Sequence, residues 1–282
     1  MSTIAAALAA ARTKLPASEA RLLMGHAIDR PAAWLLAHDD EALGEDAMLT
    51  FASLVARRSG GEPVAYLVGY REFFGRRFIV APGVLIPRPE TELLVELAVT
   101  RFVSAGAPRI LDLGTGSGCI AVTLALELPR AQVAAADHSG SALALAAENA
   151  RRLGASVDMV QSDWFAALGR ATYDLIVSNP PYVCSADPHL GQGDLRYEPI
   201  DALASGPDGL DAIRKILRGS CHHLGPEGVL LLEHGYDQGD MVRDLMLGAG
   251  FRSVEQHKDL AGIVRATSGL FSSACADLGE PR

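Results

Sequence analysis

The segment Ser178-Asn179-Pro180-Pro181-Tyr182 gathers residue types suited to one task, the grip of a planar amino group. Two successive prolines stiffen the backbone and leave carbonyls with no competing N–H from those residues. Asn179 adds an acceptor oxygen and Tyr182 a flat apolar wall. The Asn179 side chain and the Pro180 carbonyl would take the two hydrogens of an –NH2 group while the Tyr182 ring stacks on its π face. The plain alternative is a Pro-rich turn. Position argues against it, because the segment follows an apolar run read as a strand. Ligands of open α/β sheets bind outside the carboxyl ends of strands.

A second constellation is Leu111-Asp112-Leu113-Gly114-Thr115-Gly116-Ser117-Gly118, after another apolar run and before a helical one. Glycines allow a tight turn and close approach of a ligand to the main chain, and the helix behind them offers unpaired N–H groups. A dinucleotide fingerprint places glycines at positions 1, 3 and 6. Counted from Gly114, position 6 is Cys119, so NAD is disfavoured. The D-x-G-x-G-x-G form resembles the loop that holds S-adenosylmethionine in Rossmann-like methyltransferases, with Asp112 bracing it from below. Asp137 closes the next apolar run, where a carboxylate can accept from both ribose hydroxyls or cap the helix starting near Ser139. Beside the glycine loop, ribose binding is the favoured reading. In Ser162-Asp163-Trp164-Phe165, Trp164 either covers a purine ring or belongs to the core. Asp163 either bonds an adenine amino group or caps its loop.

These residues need a scaffold, and the apolar periodicity predicts one. Strands are expected at Ile110–Leu113, Val133–Ala136, Val157–Gln161, Tyr173–Val177, Val229–Glu233, Arg252–His257 and Ile263–Thr267. Helices alternate with them near Ile120–Glu127, Ser141–Leu153, Asp211–Leu224 and Asp240–Ala249. Such alternation predicts an α/β, Rossmann-like parallel sheet with helices on both faces. The last two strands lack an intervening helix, so an antiparallel strand is expected at the edge. Before this region, residues 1–70 read as a small helical domain. Ser18 would cap a helix carrying Leu22, Leu23, Ala27 and Ile28. A second helix, Asp46 to Arg58, would turn Leu49, Leu54 and Val55 inward and stop at Gly60-Gly61. A β-hairpin is expected between Val64 and Val84, and the prolines of Ile86-Pro87-Arg88-Pro89 predict an extended loop. Thr91 would cap the next helix. The expected organisation is a docking domain over 1–70, hairpin and linker over 71–90, and a catalytic domain over 91–282.

Composition narrows the function classes. The 282 residues are 49% hydrophobic and 21% charged, which excludes wholesale disorder and allows a core without metal or disulfide staples. The net charge of −9 argues against a protein that lives by gripping nucleic acid. No apolar stretch approaches the ~18 residues of a membrane span, and the N-terminus lacks the pattern of a secretory signal. Cys119, Cys184, Cys221 and Cys275 are far apart, without metal-ligand spacing, and read as reduced thiols of a cytoplasmic, metal-free protein. His222-His223 reads as a solvated helix end; Glu233-His234, at a strand end, either lines the cleft or makes structural hydrogen bonds, and the second is the favoured reading.

The motifs taken in order resemble the HemK/PrmC family. They are Arg71-Glu72-Phe73-Phe74-Gly75, Ile86 through Glu92, the glycine loop, Gln161 through Phe165, Asn179 to Tyr182, and Asp187-Pro188-His189-Leu190 leading to Arg196-Tyr197-Glu198-Pro199. The resemblance spans roughly residues 62 to 268. It implies methylation by S-adenosylmethionine of the glutamine in the Gly-Gly-Gln motif of class-one peptide chain release factors. It also implies cofactor contacts from Gly114–Gly118, Asp137, Trp164 and Asn179, and a grip on the target amide by Asn179, Pro180, Pro181 and Tyr182. No residue stands out as a general base, so proton loss to solvent is expected. Two rivals share some features. An adenine-N6 nucleic-acid methyltransferase would use the same tetrad but needs a basic cleft, and a non-catalytic nucleoside-binding module would have no use for the tetrad.

Overall fold

The computed structural model describes residues 2–271, so Cys275 lies outside the described residues. These residues fall into two compact units, one within Met1–Tyr70 and Gln192–Tyr197, the other within Arg71–Gly191 and Glu198–Arg282.

The first unit is helical: α1 (Ile4–Ala11), α2 (Ala17–Ala27), α3 (Ala32–Ala37), α4 (Glu45–Ser59) and α5 (Val64–Val68). Ile4, Leu8, Leu23, Met24, Leu35, Phe51, Leu54 and Val55 form its core. The Thr3 hydroxyl accepts from the Ala6 N–H and caps α1. Ser18 does not cap α2. The helix starts one residue before it, on Pro16, whose ring presets φ at −54° for chain entry. Leu22 and Leu49 face solvent rather than the core, 40% and 65% exposed, because the buried stripes run through Leu23 and Met24 and through Phe51, Leu54 and Val55. The Arg58 guanidinium joins Glu19 and Asp194, at 2.7 and 2.6 Å, which ties the late segment Gln192–Tyr197 into this unit.

The expected hairpin is shorter than the apolar run. Pro63 starts α5 and Gly69, at φ +80°, ends it, leaving β1 (Tyr70–Phe73) and β2 (Arg76–Ile79). Phe74 and Gly75 both have positive φ, +49° and +69°, the requirement of a two-residue turn matched to strand twist.

The second unit continues with α6 (Glu92–Phe102), β3 (Arg109–Leu113), α7 (Cys119–Glu127), β4 (Gln132–Asp137), α8 (Gly140–Leu153), β5 (Asp158–Gln161) and β6 (Tyr173–Ser178). It closes with α9 (Asp211–His223), β7 (Leu224–Glu233), α10 (Gly239–Gly248), β8 (Arg252–Lys258) and β9 (Val264–Leu270). The sheet order is β5-β4-β3-β6-β7-β9-β8. β3 to β7 are parallel, and β9 runs antiparallel to both neighbours. The antiparallel strand is therefore one place in from the edge, and β8 is the edge strand. A short turn lets β9 fold back beside β8, and β9 then pairs with the apolar β7. One face of the sheet packs Leu94, Val95, Ile120, Val122 and Leu124 from α6 and α7. The other packs Ile213, Ile216, Val242 and Met246 from α9 and α10. Strand order reverses between β3 and β6, which opens a crevice at their carboxyl ends.

Candidate active site

A cavity of about 550 Å³ occupies that crevice. Its wall includes Gly114, Gly116, Asp137, Asp163, Trp164, Asn179 and Pro181, which the ends of β3, β4, β5 and β6 bring together from 68 positions of sequence. Val84, Pro87, Arg88, Thr91, Asp201 and Lys215 are among the residues that line its other sides.

The glycine loop is held by its own buried acid. Asp112 is fully buried, and its Oδ2 accepts from the Thr115 hydroxyl at 2.6 Å and the Ala121 N–H at 3.2 Å. Burial is the main cause that pushes its pKa up to about 7. Gly114 and Gly116 have φ of +72° and +56°, and no atom lies within 4 Å of where a Gly114 Cβ would stand. Gly118 is glycine for packing, since a Cβ there would sit 2.9 Å from the Ala146 Cβ of α8. Thr115, Ser117 and Gly118 therefore do not line the cavity. Thr115 turns inward to Asp112, the Ser117 carbonyl accepts from Asn149, and Gly118 seats α7 against α8.

Asp137 spans the gap between loops. Its Oδ2 accepts from the Gly116 N–H and its Oδ1 from the Ser139 N–H, both at 2.9 Å. The cap of α8 comes from Ser139, whose hydroxyl accepts from the Ala142 N–H. Trp164 adopts φ +51°, which places a non-glycine residue in the left-handed region at the cavity wall.

Asn179 donates through Nδ2 to the Thr91 Oγ1 at 2.9 Å. Thr91 thus stands at the head of α6 without capping it, because its hydroxyl is engaged across the crevice instead. Pro180 is buried, and neither it nor Tyr182 lines the cavity. Tyr182 is pulled away from it by two anchors. Its hydroxyl donates to Glu233 Oε1 at 3.3 Å, and its carbonyl accepts from Gln238 Nε2 at 2.9 Å. Burial holds the Tyr182 hydroxyl well above the usual phenol range.

Sequence reasoning missed Thr91 as a partner of Asn179. It also assigned no role to the Arg88–Glu198 ion pair, in which Glu198 is buried and also accepts from the Ile86 N–H at 3.0 Å. Those partners stand 88 and 110 positions apart, and no local pattern links them. His223 departs from its expectation as a solvated residue. It is buried, donates to the Ala171 carbonyl at 2.8 Å and stacks on Phe165, while His222 is exposed. His234 makes structural bonds to the Gly235 carbonyl and the Thr267 hydroxyl, as expected. Among the described residues no group of three or more metal-ligating side chains converges, and no helix is long and apolar enough to cross a membrane.

Comparison with known proteins adds an independent line. Residues 1–69 match the PrmC N-terminal domain, and residues 89–191 match the Methyltransferase small domain. The release factor glutamine methyltransferase of Bordetella pertussis is 51% identical over 256 residues, covering 90% of this chain and 95% of that one. The protein of the same name from Escherichia coli strain K12 is 42% identical over 257 residues, covering 91% and 92%. A methyltransferase structure from Pyrococcus furiosus shares the fold at TM-score 0.52 and 22% identity, covering 70% of this chain and 89% of that one. Identity of this order, sustained over nine-tenths of both chains and joined to a cavity at the strand reversal of a methyltransferase sheet, means that the chain belongs to the release factor glutamine methyltransferase family.

Proposed function

We propose that the protein transfers the methyl group of S-adenosylmethionine to the side-chain amide nitrogen of the glutamine in the Gly-Gly-Gln motif of class-one release factors. The observation that carries this reading is Asn179. Its –NH2 end is spent on Thr91, which leaves a carbonyl oxygen at the cavity wall as an acceptor for another amide.

The lining fits the cofactor. The cavity has the volume of a small-molecule site, Gly114 leaves open space at the main chain, and the Asp137 carboxylate lies in its wall. Gly114, Gly116, Asp137, Asp163, Trp164 and Asn179 would hold it. Thr115, Ser117 and Gly118 would support it from behind. Bound S-adenosylmethionine supplies an electrophilic sulfonium methyl group.

An amide nitrogen is a poor nucleophile because its lone pair is delocalised. Asn179 Oδ1 would accept from one of its N–H groups at the cavity wall, push density onto nitrogen and hold it for transfer, with buried Pro180 bracing the loop from behind. Orientation and electrostatics of this kind contribute several kcal/mol. Pro181 stiffens the loop at the cavity wall, and Tyr182, anchored behind that wall to Glu233 and Gln238, would brace the loop rather than stack on the amide. The proton released after transfer goes to solvent.

Residues 1–70 serve as the docking domain, 71–90 as hairpin and linker, and 91–282 as the catalytic domain. The substrate places the enzyme in the cytoplasm without stable nucleic-acid or membrane binding. Mass spectrometry of a full-length release factor incubated with enzyme and S-adenosylmethionine tests the reading. One added methyl on the Gly-Gly-Gln glutamine is expected, and an unmodified glutamine would overturn it.

A further inference from the structure

The turn that follows β7 is tied to the Asn179–Tyr182 loop. Gln238 is buried; its Nε2 donates to the Tyr182 carbonyl at 2.9 Å, and its Oε1 accepts from the Gly235 N–H at 2.8 Å. The Gln238 N–H donates in turn to the Gly235 carbonyl at 3.0 Å. The turn is thus fixed, yet it holds Tyr236 outward, 71% exposed. The turn between β8 and β9 is fixed as well. Asp259 Oδ1 accepts from the Ala261 and Ile263 N–H groups at 2.9 and 3.0 Å, and its Oδ2 accepts from Arg265 Nε at 3.2 Å. That turn presents Leu260 and Ile263, both exposed.

Strand register brings these side chains to one end of the sheet. Glu233 of β7 pairs with Ala266 of β9, and the His234 N–H donates to the Arg265 carbonyl. Tyr236 lies as far beyond Glu233 as Ile263 lies before Ala266, so the two come level. It is also the end at which Asn179 leaves β6, because Ser178 pairs with Leu232 of β7. β9 is two strands away from β6, a distance of ~10 Å. An exposed Tyr-Leu-Ile cluster on two hydrogen-bonded turns keeps apolar surface in water and gains nothing within the chain. Rigid aromatic and aliphatic anchors of this kind are what a protein partner binds with little ordering cost. The site itself says which partner. A glutamine flanked by two glycines offers little beyond one side chain, whereas a protein complex buries on the order of 800 Å² per partner. The domain that carries the motif therefore has to rest on the rim beside Asn179.

We propose that Tyr236, Leu260 and Ile263 form a docking surface for the release factor, covered by an apolar face of the domain that carries the Gly-Gly-Gln motif. The proposal rests on the reading of the cavity as the site of glutamine-amide methylation. Because the Tyr236 turn and the amide-gripping loop are joined through Gln238, the docked domain and the target glutamine are held in one frame. Contacts this far from the reacting nitrogen are the same before and during transfer, so they act on substrate affinity and not on the chemical step.

The test is steady-state methyl transfer to a full-length release factor at saturating cofactor. Tyr236→Ser combined with Leu260→Ser should raise KM for the release factor roughly 10-fold or more, with kcat and S-adenosylmethionine affinity within about 2-fold of wild type. Tyr236→Phe, which keeps the ring, should hold KM within about 3-fold. Leu247→Ser, at an exposed apolar position on the far end of α10, should leave KM within about 2-fold. An unchanged KM in the double variant, a loss confined to kcat, or an equal rise in KM for Leu247→Ser overturns the proposal. Light scattering that finds wild-type dimers dissolved by the double variant also overturns it, because the patch then joins two copies of the chain. If the double variant fails to fold, Tyr236→Ser alone decides: a raised KM with kcat kept supports the proposal, and an unchanged KM overturns it. A release factor left unmodified by the wild-type enzyme overturns the functional reading and this proposal together, whereas a modified one with unaffected variants overturns this proposal alone.

Discussion

The loop after β3 and the loop after β6 lie at neighbouring strand ends, and each is backed by a fully buried carboxyl group, Asp112 and Glu233. Burial pushes both groups up to about 7, and each has one oxygen without a partner. They differ in reach. Asp112 bonds Thr115 and Ala121, three and nine positions away, and shapes the loop it belongs to. Glu233 bonds Tyr182, 51 positions away, in the loop after another strand. The first loop is self-contained, as suits a fixed cradle for a cofactor. The second depends on three separate parts of the chain, as suits a side chain whose orientation must be held against rotation. On the proposed function, the first loop would serve binding and the second rate.

The largest expected effect tests that division at Asn179. Asn179→Ala removes the orienting acceptor at the cavity wall, and its single-turnover rate should fall ~10²-fold or more. An active Asn179→Ala enzyme would sink the amide-grip mechanism. Next comes Asp137→Ala on the binding side, where loss of charge-assisted bonds to the ribose should cost ~1.5–3 kcal/mol of cofactor affinity by calorimetric titration. Loss in rate at saturating cofactor with unchanged affinity would break the assignment of this acid to binding.

A thermodynamic measurement sharpens the likeness of the two acids. Asp112 has a folded pKa raised from 3.8 to about 7, so the native state holds a proton that the unfolded chain releases. Its contribution to stability is fully present below the unfolded pKa and is lost as pH rises toward 7. Chemical denaturation of Asp112→Asn against wild type should show the variant gaining, relative to wild type, on the order of 2–4 kcal/mol between those limits. A pH-independent difference would mean that Asp112 stays ionised throughout. The smallest effect is expected for Tyr182→Phe, which keeps the ring and removes only a 3.3 Å bond. Its rate should stay within about 3-fold of wild type. An inactive Tyr182→Phe enzyme would make the hydroxyl a proton acceptor in the reaction.

Local signals were legible in proportion to how local their causes are. The glycine loop could be read because left-handed turns at Gly114 and Gly116 and the close approach at Gly118 require glycine within one short stretch. The parallel strands could be read from their continuous apolar runs. Ser18 misled because a cap signal competes with the φ that Pro16 already presets, and Leu49 misled because two apolar stripes were open to α4. His223 looked solvated because nothing near it in sequence announces the Ala171 carbonyl or the Phe165 ring that bury it.

The sequence by itself determined the sheet, the order of the motifs around it, and the chemistry that Asn179, Asp137 and the glycines can offer, because side-chain type and short spacing set these. Tertiary structure alone decided which of those residues face the cavity and which stand behind it. It also decided that Thr91 serves Asn179 rather than its own helix, and that Glu233 meets the Asn179–Tyr182 loop through the Tyr182 hydroxyl. The reason is that hydrogen-bond direction belongs to groups in contact, and these contacts join positions 91, 179, 182 and 233, which only the folded sheet brings together.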